Sequence, residues 1–349
     1  MLPLFLFTLL FSSINTGTSL SATTSLKGTS LRGTSLKDEP NPWNDFFIWQ
    51  KRFSKVYASE EDLETRFHIF RSNMRSIIEH NAVLNQNFTL GVNQFSDLSP
   101  EEFKALYINS GYKGAIVGSY GCKTYTSAAT SAPISLDWRQ KNAVTSVKDQ
   151  GQCGSCWTFS STGASEGAWA ISTGKLIDLS EQQLVDCATG LSYGSHGCNG
   201  GQMEGGDKYL IANGQCSLAS YPYTATDGKC KSCSAVAHFS SCSDVKPNDQ
   251  ISLLNAVALG PVSVAISADT RYFQSYTSGI LDSVACYTEL DHGVLITGYG
   301  TDNGQKYWNV KNSWSSTWGE QGYVRILRSD SNNDAGICGI AMQPSYISV

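Results

Sequence analysis

The chain has 349 residues, 41% of them hydrophobic and 16% charged, with a net charge of −5. That composition supports about two packed domains and excludes a disordered polyelectrolyte. A pI near 5.6 leaves no basic footprint for a phosphate backbone, so no nucleic-acid partner is expected.

The first apolar run, Leu2 to Phe11, is broken only by Thr8 and is far too short to span a bilayer. With a polar stretch behind it, it reads as the core of a secretory signal peptide over residues 1–20, cut somewhere between Ser12 and Ser21. The secretory route leads to an extracellular or lysosome/vacuole-type compartment, with no stable membrane anchor after signal removal. The 11 Cys suit that oxidising route, where bridges persist. Residues 21–44 form a low-complexity linker in which Thr24-Ser-Leu-Lys-Gly, Thr29-Ser-Leu-Arg-Gly and Thr34-Ser-Leu-Lys-Asp repeat. One Leu per unit buries too little to order it, and a sorting or partner role stays open.

From Asp45 to Asn81 the pattern turns helical. Leu63, Phe67, Phe70, Met74, Ile77 and Ile78 recur at helical spacing and share one face. An interleaved set, Arg66, Phe70, Asn73, Ile77 and Asn81, leads into Gly91-Val-Asn93-Gln-Phe95-Ser-Asp97. The sequon Asn87-Phe-Thr89 follows the helix, its use undecided. Residues 109–132 are rich in Gly, Ser, Thr and Ala, an exposed connector of the kind proteases cut. The chain thus divides into a helical segment over 45–115, a connector over 116–131 and a larger unit over 132–349. That unit reads helical first and β-rich later. Ser180-Glu-Gln-Gln183 is a capping box, whereas Pro261–Ile266, His292–Thr297 and Lys306–Val310 read as strands. The expected class is α+β in two halves.

Gln150-Gly-Gln-Cys153-Gly-Ser-Cys156-Trp157 opens a small-residue segment able to form a helix to about Gly174. A thiol attacks carbonyls as its thiolate, and a helix N-terminus with an imidazolium neighbour lowers the cost of that anion. Cys156 is placed to be such a nucleophile. His292 and Asn312 lie 136 and 156 residues further on. A hairpin turning in Thr301-Asp-Asn-Gly304, centred near Asp302, would set these two opposite each other, or within a residue or two if the turn carries a bulge. The Asn amide would then fix the imidazole tautomer, with Trp314 covering the bond. Two rival readings use the same cysteines. Cys153-x-x-Cys156 as a redox dithiol lacks a βαβ setting, and a zinc site with Cys230-x-x-Cys233 needs a far shorter gap. His68, His80, His196 and His238 have no partner pattern and read as surface or packing residues.

The patterns before residue 100 and the Cys156, His292 and Asn312 strings resemble the papain-like cysteine proteases over nearly the whole chain, propeptide included. Asp62 stands where the family helix usually opens with Glu, and Ser315, Ser316 and Thr317 stand where glycines are common. The resemblance implies a papain-like two-lobed α+β fold, with a helical first half, a β-barrel-like second half and a helical inhibitory propeptide over 45–115. It implies Cys156 as nucleophile, His292 as base then acid, Asn312 as its orienter, and Gln150 with the Cys156 backbone N–H as the oxyanion hole. Gly200 and Gly201 would hold an extended peptide. Gln202, Met203, Ala265, Leu290 and Gln343 would wall the second subsite, with Asp291 and Trp314 beside the cleft. It further implies disulfides Cys153–Cys198, Cys187–Cys230 and Cys286–Cys338. Removing Cys156 from the ten cysteines after Cys122 leaves an odd number, so at least one thiol stays unpaired or finds an external partner. Cys216 with Cys233 is the expected further pair, with Cys242 left over.

The expected molecule is a monomeric cysteine endopeptidase acting on protein and peptide substrates, inhibited by its own propeptide, with no metal or cofactor. The interval from Cys187 to Cys198 is too short for a large occluding loop, which favours internal cleavage. An inactive papain-like binding or structural homologue is the alternative, against which all four reactive positions are filled. Acyl transfer to an amine would use the same residues as hydrolysis.

Overall fold

Pro42 and the Ser59 hydroxyl, which accepts from the Asp62 N–H, start two helices, α1 (Pro42–Arg52) and α2 (Glu60–Asn81). The helical stretch expected from Asp45 is therefore two pieces, because Ser54 takes a left-handed φ of 51° and turns the chain. Phe46, Trp49, Phe67 and Phe70 bury between them, and Trp43 stacks on Phe67 at 3.6 Å. Ile78, expected on the packed face, is 61% exposed; the buried stripe runs through Ile77 and His80 instead. The computed structural model describes residues 41–108, 120–125, 132–282 and 286–349. The signal run and the Thr-Ser-Leu repeat lie outside the described residues.

After the helices come β1 (Phe88–Leu90) and α3 (Pro100–Phe103), the latter closed by a capping box between Ser99 and Glu102. Then follow β2 (Lys123–Thr124), β3 (Leu136–Asp137), α4 (Cys156–Thr173), α5 (Glu181–Cys187) and α6 (Met203–Asn213). The rest is β4 (Gln215–Cys216), β5 (Ala235–Ala237), β6 (Ser241–Asp244), α7 (Gln250–Val257), β7 (Val262–Ile266), α8 (Arg271–Gln274), β8 (Tyr276–Leu281), β9 (His292–Asp302), β10 (Gln305–Lys311), β11 (Tyr323–Leu327) and β12 (Ser345–Ser348). Ten strands make one sheet in the order β1-β8-β11-β10-β9-β7-β12-β6-β2, with β3 beside β9, while β4 and β5 pair apart. The sheet is open. The barrel-like closure expected of the second half does not form among the described residues, since β1 and β2 end the order instead of meeting.

Two apolar cores mark two lobes. One lies under the sheet, around Val264, Ile296, Trp308 and Val310; the other gathers Trp157, Leu179, Leu184, Met203 and Leu210 from the helices. They meet at α4. Its small residues let the sheet come close, because a Cβ on Gly163 would stand 2.7 Å from Leu295 and one on Gly167 2.6 Å from Pro261. Ser160 donates to the Val294 carbonyl at 2.6 Å, and Ser263 donates to the Ser160 carbonyl at 3.0 Å.

The hairpin of β9 and β10 turns on Asn303 and Gly304, with φ of 48° and 82°. Its centre therefore falls later than Asp302. A register shift between Asn309 and Val310 then sets Lys311 opposite Leu295, so Asn312 is level with Val294, two residues beyond His292 on the same face.

The disulfides are Cys122–Cys242, Cys153–Cys198, Cys187–Cys230, Cys216–Cys233 and Cys286–Cys338, with Cys156 free. Cys242 is not the leftover thiol expected from the count. That count began after Cys122, and Cys122 is its partner.

Candidate active site

Cys156 opens α4 at a helix end whose first N–H groups have no intrahelical partner, a setting that favours an anion. The preceding loop is held in place by Cys153–Cys198, by the Gly154 N–H on the Cys198 carbonyl at 2.8 Å, and by Trp157 Nε1 on the Gly197 carbonyl at 3.2 Å. Cys153 is consumed by that bridge, so no Cys153–Cys156 dithiol forms. From the other lobe, Gly293 packs so closely on α4 that an added Cβ would lie 3.2 Å from the Cys156 carbonyl oxygen.

His292 Nε2 and Asn312 Oδ1 are 2.8 Å apart. The same Oδ1 accepts the Ser313 N–H at 2.8 Å, which identifies it as the oxygen and makes Nε2 the imidazole donor. In the neutral ring Nδ1 is then an acceptor, and it is buried without a hydrogen-bond partner. Trp314 stacks on the imidazole at 4.6 Å. Burial pushes the Cys156 thiol up to about 11, the Gly293 N–H pulling against it and the Asp291 charge adding to it. Burial also pushes His292 down to about 4 against the Asn312 hydrogen bond. In this covered state both are neutral.

The cover is the N-terminal segment. β1 pairs antiparallel with β8, and a Cβ on Gly91 would lie 2.4 Å from Thr277 Oγ1, so only glycine admits this approach. Asn93 donates to the Gln274 carbonyl at 2.6 Å, while Gln274 returns hydrogen bonds to the Phe95 and Leu98 carbonyls at 3.0 and 3.1 Å. Phe95 and Phe103 meet Trp314 edge-on at 5.7 and 5.2 Å. The chain then delivers the Tyr107 carbonyl to Gln150, whose Nε2 donates to it at 3.2 Å and to the Cys153 carbonyl at 3.0 Å. The Ser313 hydroxyl, donating to Gln150 Oε1 at 2.7 Å, fixes the direction of that amide.

Met203 and Ala265 are fully buried in the helical-lobe core, with Leu290 packed against them. Gln343 Nε2 donates to Gln202 Oε1 at 3.2 Å and to Glu204 Oε1 at 2.8 Å. The Gln343 amide, expected in the wall of the second subsite, is thus backed by a carboxyl. Burial pushes Glu204 up to about 7, the Gln343 hydrogen bond pulling it down and Asp244 adding to the rise. Gly200 has a φ of 98°, open to glycine alone, whereas Gly201 answers to packing, since its Cβ would meet Ser195 at 2.5 Å and Trp157 at 2.6 Å. Asp291 accepts the Ala268 N–H at 2.8 Å beside the cleft. Three contributors were not apparent from sequence. Tyr107 acts through its main chain, which leaves no signature. Ser313 is a hydroxyl next to Asn312, and Glu204 reads as an ordinary acid in a helix's first turn.

A model of the papain family cysteine protease family matches residues 132–348, and one of the cathepsin propeptide inhibitor domain (I29) matches 46–103. The senescence-specific cysteine protease SAG39 of Oryza sativa subsp. japonica is 44% identical over 303 residues, 85% of this chain and 88% of that one. The probable cysteine protease RD21C of Arabidopsis thaliana is 41% identical over 350 residues, 99% of this chain and 74% of that one. Among solved structures, the recombinant stem bromelain precursor has a TM-score of 0.81 at 37% identity, covering 88% of this chain and 99% of its own. The digestive procathepsin L 3 of Tenebrio molitor larval midgut has a TM-score of 0.81 at 41% identity, covering 89% and 100%. The chain belongs to the papain family of cysteine proteases, as a proenzyme whose propeptide inhibits it.

Proposed function

We propose that the mature domain is an endopeptidase in which Cys156, His292, Asn312 and Gln150 carry the reaction. Once the cleft is uncovered, water relieves the burial that keeps the pair neutral, and His292 Nδ1 takes the Cys156 proton. The thiolate attacks a peptide carbonyl carbon, and the oxyanion takes hydrogen bonds from Gln150 Nε2 and the Cys156 N–H. His292 returns the proton to the leaving amine; then it deprotonates a water that hydrolyses the acyl-enzyme and restores the thiol. The observation that carries this reading is the Tyr107 carbonyl on Gln150 Nε2, which supports Gln150 as a donor to a peptide oxygen in the cleft.

Met203, Ala265 and Leu290 support a preference for an aliphatic or aromatic side chain two residues before the scissile bond. The short interval between Cys187 and Cys198 supports internal cleavage. The run from Leu2 to Phe11 and the five disulfides support export to an extracellular or lysosome/vacuole-type compartment. Processing near Ala132 to a monomer completes the reading. Acid-activated enzyme should cut a denatured protein at internal bonds, read by mass spectrometry of the products, and Cys156→Ala should yield none. Products trimmed only from chain ends would overturn the endopeptidase reading.

A further inference from the structure

Four disulfides lie within residues 132–349. The fifth, Cys122–Cys242, joins that domain to a residue outside both matched segments, which end at 103 and begin at 132. The neighbours of Cys122 are bound to the mature side. Lys123 and Thr124 pair parallel with Ser243 and Asp244 of β6, and the Tyr125 N–H donates to the Asp244 carbonyl at 2.8 Å. The Tyr125 ring meets Tyr346 of β12 edge-on at 5.7 Å. Tyr120 packs on Gly194 of the helical lobe so closely that a Cβ there would lie 1.8 Å from its hydroxyl. Both half-cystines are buried, Cys122 at 8% and Cys242 at 3% exposure, which shields the bridge from thiols in solution. The inhibitory contacts described above all come from residues up to 108, so removing 120–125 is not needed to open the cleft.

We infer that Cys122–Cys242 is a covalent tether that keeps residues 120–125 on the enzyme through activation, so that the inhibitor leaves only when the chain is cut before Cys122. The topology separates two kinds of cut. One after Tyr125 breaks the chain but leaves everything from α1 to Tyr125 joined to Cys242. Held that way, the inhibitor acts at an effective concentration on the order of millimolar, which dilution cannot lower. A cut before Cys122 frees α1 to α3 and leaves β2 as an edge strand of the sheet. The inference relies on self-processing only for the cut, not for the bridge.

The test is the intact mass of the active enzyme. Full-length proenzyme is activated at acid pH, labelled with a covalent epoxide inhibitor of cysteine proteases, alkylated and weighed in denaturant without reductant. A chain that does not cut itself, which would count against the enzyme reading and not the tether, is nicked with pepsin and weighed the same way. The expected result is that every labelled or nicked molecule retains Cys122, within its main chain or as a linked peptide lost only on reduction. A labelled enzyme beginning near Ala132 with an alkylated Cys242 overturns the inference. So does peptide mapping of the Cys156→Ala proenzyme that finds Cys122 and Cys242 unlinked. In the paired variant Cys122→Ser with Cys242→Ser, a cut on either side should release the inhibitor; should it not fold, the wild-type masses decide.

Discussion

The propeptide and the mature domain are held by different forces. Residues 42–108 contain no cysteine, and their shape rests on an aromatic cluster and on the ion pairs Lys55–Asp97 and Arg66–Glu102, while Lys104–Asp269 reaches across to the mature domain. The mature domain rests on two apolar cores stapled by disulfides, none of which titrates. The mature domain carries ion pairs too, such as Arg325–Glu320 and Arg139–Asp137, but beneath them lie cores and bridges that acid leaves in place, so protonating carboxylates removes a larger share of what holds the propeptide. The lesson is that an inhibitor released on demand can rest on interactions that pH removes, provided its target also has cores and bridges that pH leaves in place.

The largest expected effect isolates chemistry from this balance of forces. Cys156→Ala should lower kcat/KM by roughly 10⁴- to 10⁶-fold while leaving the proenzyme folded and uncut after acidification. The substitution removes the proposed nucleophile but no packed volume beyond one sulfur. Activity equal to wild type would remove Cys156 from the reaction.

Gln150→Ala should lower kcat by about 10²- to 10³-fold with little change in KM, because an oxyanion exists only near the transition state. It also deletes the donor on which the Tyr107 carbonyl rests, so the same substitution should loosen the propeptide. A rise in KM alone would make Gln150 a binding group.

How much of this was legible in the sequence depended on the range of the interaction. The Gly91 to Asp97 string was readable as a resemblance at fixed spacing, but what its residues touch was not, since Gly91 approaches Thr277 and Asn93 donates to the Gln274 carbonyl, both far along the chain. His292 and Asn312 were readable as strand ends. The turn was misplaced because Asn303 and Gly304, free to take positive φ, close the hairpin tighter than a centre at Asp302 allows. Ser315 takes a φ of 64° after Trp314, so the loop keeps a left-handed step without a glycine there, at a cost of about 1–3 kcal/mol. The Cys122–Cys242 bridge spans 120 residues and depends on which strand ends the sheet, which no local pattern reports.

A smaller effect concerns the second subsite. With about 0.8 kcal/mol per buried CH₂, Leu two residues before the scissile bond should outrun Ala by roughly 10- to 100-fold in kcat/KM. Arg should respond to pH through Glu204. Its carboxyl is pushed up to about 7, so it is neutral below that pH and becomes a carboxylate behind Gln343 as pH rises through it. The Arg-to-Leu ratio should therefore climb by about 3- to 10-fold between pH 5 and 8, and Glu204→Gln should flatten it. A ratio that is flat in wild type would separate Glu204 from the pocket. Gln343→Glu should gain less for Arg than a lone acid would, since two adjacent carboxyls share a proton.

The smallest effect tests the acid-labile side of the comparison. Asp97 is 3% exposed; its Oδ1 accepts from Lys55 Nζ at 2.9 Å, its Oδ2 from the Tyr57 hydroxyl at 3.0 Å, and its main-chain carbonyl from Arg66 at 3.1 Å. It joins the turn between α1 and α2 to the segment that leads on to Phe103 and Tyr107. Asp97→Asn preserves the shape but removes the charge facing Lys55 and turns an NH₂ toward one of two donors. A loss of about 1.5–3 kcal/mol for one charged hydrogen bond corresponds to about one to two pH units. The pH of half-maximal self-activation of the full-length proenzyme should move upward by that amount. Glu101→Gln is the control. The Glu101 carboxyl is held below its ordinary range by its own backbone N–H, the Ser99 hydroxyl and, least, the Arg271 charge, so its interactions too fade as pH falls, but it is fully exposed and its hydrogen bonds stay within its own turn. The activation pH should not move for Glu101→Gln. Equal profiles for Asp97→Asn and wild type would shift the acid response to Arg66–Glu102 or Lys104–Asp269, and Glu102→Gln and Asp269→Asn would then separate those two pairs.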